Sequence, residues 1–323
     1  MNVGIFYSRE PKGSNFNEGY LYNQHPQWRN YPHELLAAMN KLSNKAVIVC
    51  KQQTYSGNNT FSSYWVPSQY EKGLFKKVEE EITLDALFNK GYFTGEATFS
   101  IVNITKMRDI GRNKARQFSL FSEFQPVTKV ATTIELPQII MSMPSDMVVV
   151  KPLNLNGGKG IVIAKKQEVI MRFKRQLSND QWIVQQFIDS SQGIAGLQSG
   201  IHDLRVYMIN SEPVLGSVRT PKSGSLVANT SQGGTITFYS THQLPSDVLI
   251  NSQKIDTYFE QFGNRYYSID FINDGKKWYM LEINDRPGVP AEYQSKYIAE
   301  FHKKLAQCIV ESVDNPLNKV GMR

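Results

Sequence analysis

Three oxygen-bearing side chains toward the C-terminal end, Asp270, Glu282 and Asn284, stand where hydrocarbon is expected. Asp270 interrupts YYSIDFI and Glu282 interrupts WYMLEIND. An acid inside an apolar strand is costly unless it is paired or meets a cation. Glu282 and Asn284 are two apart and share one face of a strand. The turn Asn273-Asp274-Gly275-Lys276 between the two runs can fold Asp270 opposite them. Two carboxylates and an amide oxygen are hard ligands that suit Mg2+, which keeps water and phosphate oxygens as its other ligands. Pairing of these acids with Arg or Lys on a solvated strand face is the alternative. A second stretch, residues 148–166, reads VVVKPLNLNGGKGIVIAKK. Gly157, Gly158 and Gly160 bracket Lys159 between two apolar, β-branched runs. With no Cβ in the way, such a turn can fold its N–H groups over phosphate oxygens. Lys151 and Lys159 can neutralise polyphosphate there. No Gly-Lys-Ser/Thr opens a helix, so this is not a P-loop. An ordinary hairpin with a flexible tip is the alternative.

The elements that must position these groups follow from periodicity. Residues 3–7 and 46–50 read as strands. A helix over 33–42 lies between them, with Leu35, Leu36, Met39 and Leu42 on one face. This opening resembles a small open α/β sheet. Residues 13–31 and 51–70 read as long loops, and the alternating Lys and Glu of 71–89 as exposed helix. Residues 99–104 read as a strand and 108–124 as one amphipathic helix, ended at Gln125-Pro126. After the glycine hairpin come a basic helix (167–177), a β-rich run (182–188) and a Gly/Ser loop (189–202). Strands follow at 203–209, 213–219 and 235–239, then a helix at 245–262. Residues 266–272 and 277–283 pair across the Asp-Gly turn. A closing helix covers 292–313. Its His302 could be a ligand, but Lys303 and Lys304 beside it favour a surface position.

At 323 residues, 41% hydrophobic and 20% charged, the chain is globular and long enough for two or three subdomains. It has no apolar run long enough to span a membrane. The first residues, MNVGIFYSREPK, lack a basic n-region and an apolar h-region, so a cytoplasmic location is expected. Cys50 and Cys308 are far apart, without a disulfide framework or metal-ligand neighbours. The net charge of +7 suits an anionic ligand such as a nucleotide. The basic residues are scattered and do not interleave with aromatics in one module, so a nucleic-acid partner is not expected.

The order of Lys114, Lys151, the 157–160 loop, Gln185 to Ile188, Arg205, Arg219, Asn229, Asp270 and Glu282-Ile283-Asn284 resembles the ATP-grasp superfamily. Within it, the likeness is to the glutathione synthetase and ribosomal-protein glutamate ligase branch, over roughly residues 106–300. The resemblance implies an α+β (α/β) fold with two α+β lobes clamping ATP, residues 108–189 and 190–323. A small open-sheet α/β domain, residues 1–107, precedes them. It implies an ATP-dependent carboxylate–amine ligase with ATP and Mg2+ as cofactors, forming an amide or peptide bond through an acyl phosphate. Its substrate would be an amino acid or peptide with a carboxylate and an amine acceptor. The same resemblance implies roles at matching positions. Lys114 and Lys151 would meet ATP phosphates, and Gly157, Gly158, Lys159 and Gly160 would close over them. Backbone groups of Gln186, Phe187 and Ile188 would read the adenine edge, with Asp189 near the ribose. Arg205 would stand near the substrate carboxylate or acyl phosphate and Arg219 on the transferring γ-phosphate. With Lys151 these are the catalytic charges. Asn229 falls in a segment resembling Asn-x-x-x-Gly-Gly. Asp270, Glu282 and Asn284 would be the metal ligands. Arg286, with Gly288 in the turn after the metal strand, reads as a clamp on a substrate carboxylate. The family usually has Glu where Gln186 stands, and arginines where Val227 and Gln232 stand. These departures favour a second reading, a non-catalytic relative of spore-coat-associated type acting by interaction. No membrane partner is expected, and a homo-oligomer is left open.

Overall fold

The computed structural model describes residues 1–10, 31–153, 160–173, 180–228 and 233–318. Gly157, Gly158, Lys159, Asn229 and Gln232 lie outside the described residues, as does most of the 13–31 loop. The first unit contains β1 (Asn2–Tyr7), α1 (Tyr31–Asn40), β2 (Lys45–Cys50), β3 (Tyr55–Gly57), β4 (Thr60–Phe61) and β5 (Tyr64–Gln69). It continues with β6 (Leu74–Val78), β7 (Ile82–Thr83), β8 (Ala86–Asn89) and β9 (Ser100–Val102). Its main sheet has the order β6-β5-β2-β1-β8-β9, with β1 parallel to both β2 and β8. Strands covered on both faces read as unbroken apolar runs. Ile5, Ile48 and Phe88 thus turn to one face, and Phe6, Val47 and Leu87 to the other, against Phe61, Phe93 and Phe99.

Residues 71–89 are therefore strands rather than the expected exposed helix, and the expected loop at 51–70 contains three strands. In β6, Phe75 is buried and Lys76 exposed, which is the two-residue alternation of a sheet. β6 is an edge strand, where lysines discourage pairing with another chain. The charge pattern that resembled a helix face is edge protection.

The second unit holds α2 (Thr105–Arg112), α3 (Lys114–Phe121), β10 (Thr128–Thr132), α4 (Leu136–Met141), β11 (Met147–Pro152), β12 (Val162–Lys165), α5 (Lys166–Phe173) and β13 (Gln181–Gln186). The helix expected over 108–124 is two helices. Asn113 between them is extended, and its side chain accepts from the Arg116 N–H, capping α3. The sheet order is β10-β13-β11-β12, antiparallel throughout.

The third unit holds β14 (Asp203–Ile209), β15 (Glu212–Thr220), β16 (Thr235–Tyr239), α6 (Ser246–Asp256), β17 (Tyr266–Asn273), β18 (Trp278–Asn284) and α7 (Ile298–Glu311). Its sheet runs β16-β15-β14-β17-β18. Leu204, Val206, Ile269 and Phe271 face Val248 and Ile255 of α6. The alternate residues of β14 and β17 point to the opposite face, which frees Arg205 and Asp270 from that core. α7 packs Phe301 and Leu305 against Leu35 and Leu36 of α1, so the last helix reaches back to the first sheet. It is shorter than expected, beginning after a separate turn at Glu292–Gln294. His302 on it is buried rather than at the surface. No helix among the described residues is long and apolar enough to cross a membrane.

Candidate active site

Register builds the site. β14 and β15 place Asp203 opposite Arg219, and β14 and β17 place Arg205 opposite Asp270. β17 and β18 place Asp270 opposite Glu282 and Ser268 opposite Asn284. Residues directly opposite share a face, so two acids, two arginines and Glu282 line one side of the sheet. Arg205 donates to both Asp270 oxygens, at 2.7 and 2.8 Å. Arg219 donates to both oxygens of Asp203, at 2.6 and 2.8 Å, and to Asp270 Oδ2 at 2.7 Å. Asn284 Nδ2 donates to the same Asp270 oxygen at 3.3 Å. The acid–arginine pairing weighed above is thus present, but on a buried face instead of a solvated one. Burial pushes the Asp203 carboxyl up to about 6 against the pull of Arg219. Burial acts on Asp270 in the same sense, yet Arg205 and Arg219 together hold it well below the usual carboxylate range.

The second unit supplies the facing wall. Lys151 on β11 donates to Gln185 Oε1 at 3.2 Å and reaches the Leu281 carbonyl at 3.5 Å. A register shift in the β17–β18 pairing skips Leu281 and turns its backbone this way. Burial lowers the Lys151 ammonium to about 8, with Glu282 drawing it up and Lys114 pressing it down. Lys114 is buried on α3, with Nζ 4.0 Å from Glu282 Oε2. Three residues along the same helix, Gln117 accepts from the Ile283 N–H at 2.8 Å and donates to the Ile283 carbonyl at 3.0 Å. One helix thereby sets both Lys114 and the strand that carries Glu282 and Asn284.

Between the walls lies a cleft with about 1110 Å³ of empty space, open solvent included. Lys114, Lys151, Gln186, Phe187, Ile188, Asp189, Arg219, Asp270 and Glu282 all line it. The Gln186 N–H is held by the Val127 carbonyl at 2.8 Å, which fixes the connection between lobes. Asp189 accepts from the Ser191 N–H at 3.0 Å. Gly160 has φ +74°, the left-handed conformation glycine adopts readily. Two opposed carboxylates and an adjacent amide are hard donors of the kind that suits a magnesium ion, beside cations suited to phosphate, although here Arg205 and Arg219 hold both Asp270 oxygens and Asn284 turns its N–H to one of them.

Arg286 and Gly288 sit apart, at the seam with the first unit. Arg286 Nη1 donates to the Lys90 carbonyl at 3.4 Å, and Lys90 Nζ to the Pro287 carbonyl at 2.8 Å. The Gly288 carbonyl accepts from the Tyr266 hydroxyl at 3.0 Å. Arg108 Nε donates to Asp285 Oδ2 at 3.1 Å, and the guanidinium lies 4.9 Å over the Tyr92 ring. Its Nη1 and Nη2 are buried without a hydrogen-bond partner among the described residues. Burial, reinforced by Arg286, lowers Lys90 to about 7 and Arg108 to about 10. Three basic side chains thus surround one acid. Sequence reasoning singled out Arg286 but not Lys90, Arg108 or Gln117. Only Gln117 carried a signal, its three-residue spacing from Lys114 on one helix.

Two sheet-built lobes that close cationic and acidic walls on one cleft define an ATP-grasp protein. The chain belongs to this family: residues 115–288 match the family model for the prokaryotic glutathione synthetase ATP-grasp domain. It is 28% identical over 173 residues to a probable alpha-L-glutamate ligase from Shewanella pealeana, covering 52% of this chain and 33% of that one. The chain thus spans about a third of that relative's length. The structure of the D-cycloserine synthetase DcsG aligns over 97% of this chain and 100% of its own, with TM-score 0.62 and 10% identity. The ATP-grasp ligase PsnB, solved with its minimal precursor, Mg and ADP, aligns over 96% and 97% with TM-score 0.59 and 11% identity. At such identities the likeness speaks for the α+β ATP-grasp fold alone, the first unit included.

Proposed function

We propose that the chain is an ATP-dependent carboxylate–amine ligase that forms an amide or peptide bond through an acyl phosphate on an amino acid or peptide. The observation that carries this is the opposition of Lys114 and Lys151 on one wall to Asp270 and Glu282 on the other, across a single cleft. ATP would lie with its adenine at Gln186, Phe187 and Ile188 and its ribose at Asp189. Its phosphates would meet Lys114, Lys151 and the loop of Gly157, Gly158, Lys159 and Gly160, with Asn229 nearby. Asp270, Glu282 and Asn284 would hold Mg2+, which spreads the charge of the polyphosphate. A carboxylate oxygen attacks the γ-phosphorus and ADP leaves. The amine nitrogen then attacks the acyl carbon, inorganic phosphate leaves, and the nitrogen yields its proton to water. Lys151, Arg205 and Arg219 supply position and fixed charge rather than a nucleophile. Arg286, with Lys90 and Arg108, would receive a substrate carboxylate beside Gly288. The division into 1–107, 108–189 and 190–323 and a cytoplasmic setting belong to the same proposal.

The saturation of Asp270 by two arginines favours the second reading, a non-catalytic relative. Incubation with ATP, Mg2+ and a panel of amino acids and peptides separates the two. The ligase gives ADP, phosphate and an amide product in equal amounts, read by coupled assay and mass spectrometry. Nucleotide binding without ADP formation on any acid would select the second reading.

A further inference from the structure

Away from the cleft, three potential ligands converge from three parts of the chain: Glu34 on α1, Glu292 in the turn after β18, and His302 on α7. One ligand atom from each lies within 4.8 Å of the other two. His302 Nδ1 stands 3.8 Å from Glu34 Oε2 and 3.6 Å from Glu292 Oε1, beyond hydrogen-bond reach of either. Two ligands at about 2.1 Å from a tetrahedral metal stand about 3.4 Å apart, close to these spacings.

The imidazole is the independent witness. His302 is 1% exposed, and its Nε2 lies 2.8 Å from the Pro290 carbonyl. A carbonyl can only accept, so Nε2 carries a proton, and in the neutral ring Nδ1 then presents a lone pair. That nitrogen is buried with no hydrogen-bond partner among the described residues, and it points at two carboxylates. An orphaned lone pair facing acid oxygens is unfavourable for the bare protein and favourable around a cation. A ligating histidine whose other N–H is held by a backbone carbonyl is the usual arrangement at metal sites. The carboxylate side is also oriented. Glu34 accepts from the Tyr70 hydroxyl at 2.9 Å through Oε1 and from the Glu292 N–H at 2.8 Å through Oε2. The second bond brings the Glu292 side chain to the cluster. Burial lowers the basicity of His302, while the Pro290 carbonyl and the Glu292 carboxylate act against it.

We propose that Glu34, Glu292 and His302 form a binding site for a divalent transition-series cation, distinct from the magnesium ligands proposed for the cleft. One nitrogen and two carboxylate oxygens suit Zn2+ and its neighbours, whereas Mg2+ and Ca2+ favour all-oxygen shells. Glu292 is half exposed, so water can complete the coordination from that side. The cation would clasp α1, α7 and the turn that follows Arg286 and Gly288, tying the first sheet to the third unit.

The test is calorimetric titration of Zn2+ into the chelator-stripped full chain in excess Mg2+, with a thermal melt of each sample. The expected result is a saturable zinc site that excess Mg2+ does not occupy, together with a raised midpoint of unfolding. His302→Gln should weaken that site at least about 100-fold, since loss of even an outer-shell partner costs 10- to 100-fold. Glu292→Gln should weaken it at least about 10-fold. Glu292 is exposed and its backbone contact to Glu34 survives the change, so this variant remains informative if His302→Gln does not fold. Glu282→Gln should bind zinc at this site as the unaltered chain does. No saturable zinc binding at millimolar concentration, or equal zinc affinity and equal thermal shift in Glu292→Gln and the unaltered chain, would overturn the proposal.

Discussion

Lys151 is a buried cation whose hydrogen-bond acceptors, an amide and a carbonyl oxygen, carry no net charge, and burial lowers it to about 8. Because its folded value lies below the unfolded one of about 10.4, its contribution to stability is present at higher pH and is lost as pH falls through about 8. A bound triphosphate reverses this balance by favouring the charged form. ATP should therefore bind with proton uptake at pH 8 to 9, and its affinity should fall as pH rises above about 8. Calorimetry in two buffers of different ionisation enthalpy measures the uptake. In Lys151→Ala the uptake should vanish and affinity drop roughly 10- to 100-fold, the worth of one charge-assisted hydrogen bond. Asp203 has the opposite shift. Held up at about 6, its carboxyl contributes stability below about 3.9 that is lost as pH rises through about 6. At neutral pH it is an ionised group kept in place by Arg219.

At the scale of elements, the site depends on close approaches between units. Gly111 on α2 lies against Asp285: a Cβ there would stand 2.4 Å from Asp285 Cβ and 2.9 Å from its backbone nitrogen. Gly111→Ala should displace Asp285 and with it the Arg108 contact, costing about 1 to 3 kcal/mol by overpacking. Steady-state kinetics should show a raised KM for the carboxylate substrate and an unchanged KM for ATP. Asn103 is a second tie, with φ 62° and a fully engaged amide. It donates to the Tyr266 carbonyl at 2.7 Å and the Asp285 carbonyl at 3.1 Å, and accepts from the Tyr266 N–H at 2.7 Å. Asn103→Ala should lower unfolding free energy by on the order of 3 kcal/mol, measured in urea, because three buried backbone groups lose their partner. Elements with strong local signals are readable in advance: the β17–β18 hairpin follows from two apolar runs joined by the Asp274-Gly275 turn. The strands of 71–89 were not, since edge lysines copy the charge alternation of a solvated helix and only tertiary pairing separates them. The break at Asn113 was equally hidden, because a capping asparagine inside an apolar period changes the axis without changing the pattern.

For the whole molecule, the ordering of cations and acids along the chain pointed to several residues that line the cleft, while Arg205 and Asn284 are not among its lining residues. Lys114, Lys151, Arg219, Asp270 and Glu282 do meet there, although more than 160 residues separate the first from the last. The ordering could not foretell that Asp270 would be gripped by two arginines, which depends on three strands coming into register. Nor could it place Lys90 and Arg108 beside Arg286, because that seam exists only once the first sheet docks on the third unit. The same docking buries His302 under residues distant in sequence, against the signal of its lysine neighbours. The central claim is that these scattered groups converge on one magnesium-triphosphate. Calorimetric titration of ATP into the full chain, with and without Mg2+, tests it most directly. The account predicts saturable binding of one nucleotide per chain, strengthened by Mg2+, with the Mg2+ enhancement lost in Glu282→Gln. Absence of saturation at millimolar nucleotide, or an undiminished Mg2+ enhancement in Glu282→Gln, would contradict it.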